Sequence, residues 1–106
     1  METIEALVDE HLLRFSDGIF ELFSRRSFDS TRIPVQWLAV TVGEPKRGQI
    51  RINFTRDGQA GSALYRSLPE KLARAGSSYL IPEGSEPGYR EFFTRVAAAT
   101  GRTVTP

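Results

Sequence analysis

The sequence predicts an α+β domain that is mainly β, a two-sheet antiparallel sandwich or barrel of about seven short strands closed by one C-terminal helix. Three observations carry this. Apolar and polar residues alternate in short runs between residues 12 and 82, the period of half-buried strands. Turn pairs such as Asp17-Gly18 and Asp57-Gly58 separate those runs. After Pro82 the period changes to that of an amphipathic helix.

Residues 1–10 read as an acidic N-terminal extension. Ile4, Leu7 and Val8 stand at helical spacing behind Thr3, which predicts a short helix or a frayed start. Leu12 to Phe15 and Ile19 to Phe23 then flank Ser16-Asp17-Gly18 as a tight hairpin. A third strand is expected from Phe28 to Ile33, ended by Pro34, which has no N–H for the ladder. Val35 to Val42 is rich in β-branched residues and carries the single tryptophan, Trp37, read as a core anchor. Gly43 to Gly48 is a loop by its glycine and proline content.

The clearest strand follows. Ile50, Ile52 and Phe54 alternate with Arg51, Asn53 and Thr55. Asp57-Gly58 turns the chain back, and Ala63 to Arg66 is expected to return as another strand. Ser67 and Glu70 have capping-box spacing, predicting about two helical turns over residues 67–75 before Gly76. Ser78 to Pro82 is the last strand. Ser85-Glu86-Pro87 opens the main helix, whose apolar stripe is Tyr89, Phe92, Phe93, Val96 and Ala97. Glu91 and Arg95 are spaced to pair on its outer side. Gly101 is expected to stop it, leaving residues 102–106 as an expected flexible tail.

Composition narrows the chemistry. In 106 residues there is room for one domain. Without cysteine there are no disulfides, thiolate nucleophiles or thiolate metal ligands. No apolar run reaches the roughly 18 residues of a membrane span, and the start lacks a signal-peptide pattern, so a cytoplasmic location is expected. The only histidine, His11, lies beside Glu10 and is expected to be solvated or at a strand edge. It has no nucleophile motif and no metal-ligand spacing around it. Gly58 to Gly61 lacks the residues that complete a phosphate loop. These features predict a protein that is not an enzyme and uses no cofactor or metal.

Charge is unevenly placed. Residues 1–24 hold six acids against Arg14, a balance of −5, and residues 25–66 hold eight bases against three acids, a balance of +5. Either the acidic end lies across the basic middle, or the basic middle meets an anionic partner. The candidate surface is Arg25 and Arg26 after the second strand, Lys46 and Arg47 at a loop tip, and Arg51 on the adjoining strand. Nucleic acid is disfavoured, because Ile50, Ile52 and Phe54 are apolar core positions rather than a stacking platform.

The order of these elements resembles a pleckstrin-homology-like domain of the kind found in small bacterial proteins. The resemblance spans residues 11–101. It rests on the hairpin from Leu13 to Leu22, on Arg32-Ile33-Pro34 before Leu38-Ala39-Val40, on Gly48 to Phe54, and on the aromatic helix from Tyr89 to Phe93. It implies two packed, nearly orthogonal sheets capped by the C-terminal helix, and members that bind rather than react. The helical reading of residues 67–75 and the acidic first ten residues depart from the family pattern. So does the short, acidic first hairpin loop, where lipid-binding relatives carry bases. The resulting expectation is a non-catalytic module that presents a sheet edge or open side to another protein or to a second copy of itself. The alternative is an anionic lipid or a phosphate bound at the basic loops.

Overall fold

A computed structural model describes residues 3–26, 29–56, 66–67 and 77–101. Two separate sheets and one helix make up the described chain. The first sheet is a meander of β1 (Thr3–Val8), β2 (His11–Ser16), β3 (Ile19–Ser24) and β4 (Ser30–Pro34). A 3-10 turn over Val35–Trp37 leads into the second sheet. There β5 (Leu38–Val42), β6 (Gln49–Arg56) and β8 (Ser77–Pro82) run antiparallel, and the two-residue β7 (Arg66–Ser67) lies on the far side of β5. A second 3-10 turn, Glu83–Ser85, opens α1 (Glu86–Thr100). The mainly β, two-sheet expectation with a closing helix is met. Among the described residues, backbone pairing does not close the two sheets into one barrel.

Five expectations are corrected. Residues 3–8 are a strand paired along its length with β2, not a short helix or a frayed start. Ile4 is buried while Leu7 faces outward, so one apolar residue on the wet face imitated a helical stripe. Trp37 is 42 % exposed and anchors no core, because Pro34 starts a 3-10 turn where continuous strand was expected. The chain returns as β7, which pairs in parallel with β5 through Thr41 and Arg66, and Ser67, expected to cap a helix, belongs to that strand. His11 is buried rather than solvated, 5 % exposed. On the helix, the ion pair at i, i+4 is Glu86 with Arg90 at 3.0 Å, where Glu91 with Arg95 was expected. Phe28, the Asp57-Gly58 turn, the glycine loop to Gly61, the capping-box helix and the C-terminal tail lie outside the described residues.

The helix closes the core as its stripe predicts. Tyr89, Phe92, Phe93, Val96 and Ala97 are all buried. Phe93 meets Phe20 of β3 at 5.4 Å between ring centroids and Phe54 of β6 at 6.0 Å, joining both sheets. Phe92 stands edge-on to Phe93 at 5.0 Å, geometry that adds roughly 0.5–1.5 kcal/mol beyond burial. Gly88 lies so near β1 that a Cβ there would come within 3.1 Å of Val8, so the first helical turn seats on the N-terminal strand. Gly101 adopts φ 73°, and its N–H bonds to the Ala97 carbonyl, ending the helix.

Candidate functional site

The unclosed side between the sheets is a groove of about 530 Å³ along β8. The first sheet contributes Asp9, Glu10, His11, Ser24 and Arg26 to it. The second contributes Gln49, Arg51 and residues 78–82. His11 sits in phase with Leu13 and Phe15 on the inward side of β2, opposite Ser24.

Its ring is held by two tyrosines. His11 Nδ1 lies 2.6 Å from the Tyr89 hydroxyl, and the Tyr79 ring is 4.6 Å away between centroids. Tyr89 O–H also points at the Val8 carbonyl, 3.5 Å distant. A neutral ring protonated at Nε2 accepts the tyrosine proton at Nδ1, whereas a ring carrying a proton on Nδ1 donates to the phenol oxygen and leaves the phenol to donate to Val8. Burial holds His11 below its ordinary value of 6.5, with Arg26 acting in the same direction and Asp9 and Glu10 opposing. Burial, with Asp9 and Tyr79 nearby, pushes the Tyr89 phenol well above its ordinary value.

The wall formed by β8 is a sheet edge, with β6 as its strand neighbour among the described residues. Glu83 donates its N–H to the Gly48 carbonyl at 2.8 Å, continuing the β6–β8 register in which Gln49 faces Pro82. Bonded pairs alternate along an antiparallel ladder. Ile81 and Tyr79 therefore turn their backbone groups toward β6, and Ser78 and Leu80, which line the groove, turn theirs away from β6. Leu80 is 46 % exposed, and Arg51 leans across β8 to give its guanidinium N–H to Ser78 Oγ at 2.9 Å.

A second cavity of about 260 Å³ adjoins the first and shares Arg51, Gln49 and Leu80 with it. Lys46, Arg47, Gly43 and Glu44 complete its lining. Lys46 and Gln49 bond to each other through both backbone groups, at 2.7 and 3.1 Å, around the two-residue turn Arg47-Gly48. Arg47 at φ 57° and Gly48 at φ 78° make this a type I′ hairpin. Arginine gains nothing from the left-handed region, so its presence at this tip marks a strained residue.

Of the five bases singled out in the sequence, Lys46, Arg47 and Arg51 share one cavity, and Arg26 lines the adjoining groove with Arg51. Arg25 lines neither; its backbone N–H bonds to the Glu10 carbonyl and ties the ends of β2 and β3. Sequence reading missed His11, Ser24, Tyr79 and Tyr89. The signal for His11 was its phase with Leu13 and Phe15. Among the described residues no three His, Cys, Asp or Glu side chains could together hold a metal ion, and no helix is long and apolar enough to cross a membrane. Comparison with protein-family models, with curated proteins and with solved structures finds no match.

Proposed function

We propose that this chain is a non-catalytic interaction module, pleckstrin-homology-like in layout, that takes an extended segment of a partner protein along β8. The layout is supported by a four-strand meander followed by three antiparallel strands and a C-terminal helix. The single observation that carries the binding reading is the outward backbone of Ser78 and Leu80 forming one wall of the groove. An added strand bonds to such groups whatever its sequence, and side-chain contacts then set preference. Here Arg26 and Arg51 stand with Asp9 and Glu10, so the groove suits a segment bearing both charges rather than a uniformly acidic one.

Selection of short random peptides on the immobilised protein tests this, with Leu80→Pro as the comparison. That proline removes an N–H which faces away from β6, a position where an edge strand tolerates it. Selected peptides are expected to bind the native protein and to fail on Leu80→Pro. Peptides indifferent to the substitution, or no enrichment at all, would overturn the reading.

A second reading has its own support in the convergence of Lys46, Arg47 and Arg51 on one cavity. Such a cluster suits a phosphate group, free or on a lipid headgroup. Titration with inorganic phosphate, and separately with vesicles with and without anionic lipid, distinguishes the two sources. Amide signals of residues 43–51 are expected to move in at least one arm; silence in both rejects this reading.

A further inference from the structure

The outward face of the first sheet matches its own copy. The strand register places Glu5, Arg14, Glu21 and Arg32 side by side, one from each strand, so charge alternates across the face. Arg14 Nε lies 3.6 Å from Glu5 and Arg32 Nε 3.9 Å from Glu21. Two residues along each strand, on the same face, comes a second row: Leu7, Leu12, Phe23 and Ser30. Leu7 is 63 % exposed and Phe23 38 %, with Leu12 half-buried between them. An apolar row left open beside an alternating charged row is the pattern of a covered face.

The arrangement selects one way of covering it. A twofold axis parallel to the strands, passing between β2 and β3, reverses the order across the face and keeps position along the strand. Glu5 then meets the partner's Arg32 and Arg14 meets the partner's Glu21. Leu12 meets the partner's Phe23, and the reverse. An axis across the strands instead sets every charge against itself. We infer that this face binds a second copy of the chain about that strand-parallel axis, sheet on sheet. Aligned sheets pack about 10 Å apart, which leaves room for these side chains to meet. Four strands about 4.8 Å apart and six residues at about 3.3 Å each make a face of roughly 20 by 20 Å. That lies at the low end of specific interfaces, so the dimer is weak and reversible.

The same charges also pair within one copy, and two exchange variants separate the roles. Arg14→Glu with Glu21→Arg breaks the Glu5–Arg14 and Glu21–Arg32 pairs within each chain but keeps every contact across the axis opposite in sign. Glu5→Arg with Arg14→Glu keeps both pairs within each chain and sets like charges against each other across the axis. Composition and net charge are the same in both. Sedimentation equilibrium over a concentration series at low salt is expected to show association for the native protein and the first variant. The second should be monomeric, and association of the native protein should weaken as salt shortens the Debye length to about 8 Å. A native protein still monomeric near about 1 mM overturns the proposal. So does association of the second variant at native strength, or a folded first variant that stays monomeric. Should circular dichroism show the first variant unfolded, Phe23→Ser decides: this exposed substitution must abolish association while the fold persists.

Discussion

At the scale of single residues, His11 concentrates what the fold does to chemistry. Its neighbours Asp9 and Glu10 are exposed and acidic, yet its own side chain turns inward with Leu13 and Phe15. Burial lowers its pKa below 6.5, so the folded chain binds this proton less readily than the unfolded one. Stability from this group is therefore complete above about pH 6.5 and falls as pH drops from there to the lowered folded value. Carboxylates ordinarily titrate below about pH 5, which leaves the upper part of that window to the single histidine. Denaturant midpoints measured between about pH 7.5 and 5 should decline in the native protein and stay flatter in His11→Gln. Parallel curves for the two would show that His11 is not the group responsible. The burial was legible in the two-residue period. The adjacent acids masked it, because exposure was inferred from neighbours in sequence rather than from phase along the strand. The contact with Tyr89, 78 residues away, has no local trace.

Elements were legible wherever their period was unmixed. The stripe from Tyr89 to Ala97 repeats at helical spacing with no apolar residue out of place, and the structure buries all five members. The strand β6 alternates cleanly and was equally plain. Residues 3–8 were ambiguous because Ile4, Leu7 and Val8 satisfy a helical template while Ile4, Ala6 and Val8 satisfy a strand. Pairing with β2 settles the choice, and such pairing is a tertiary effect that propensity does not contain. The helix makes the sharpest test of the core. Phe93 is fully buried and touches rings from β3 and β6, so Phe93→Ala should cost about 3–5 kcal/mol. Thr94→Ala on the exposed side should stay within about 0.5 kcal/mol of the native value. Equal denaturation midpoints for both variants would remove the helix from the core.

Across the whole molecule, the described charges of the −5 segment (residues 1–24) and the +5 segment (residues 25–66) do not remain two surfaces. Glu5 and Glu21 join Arg14 and Arg32 on one sheet face, while Asp9 and Glu10 share the groove with Arg26. Removing residues 1–10 to expose the basic middle would also remove β1, with its buried Ile4, and would test folding more than charge. Among the described residues, positive charge stays concentrated at the hairpin tip, where Lys46, Arg47 and Arg51 surround one cavity against Glu44 alone. Arg47 links charge and backbone strain there. Asn-Gly is a preferred pair for a type I′ turn, and a left-handed arginine costs about 1 kcal/mol or more. Arg47→Asn is therefore expected to raise stability by up to about 1 kcal/mol while weakening phosphate binding and its dependence on salt. Chemical denaturation and phosphate titration of the same variant read the two effects separately. A less stable variant would refute the strain, and unchanged phosphate affinity would remove this cavity as the anion site. If both expectations hold, this tip sacrifices backbone stability to place a cation, which is how a binding position differs from surface charge.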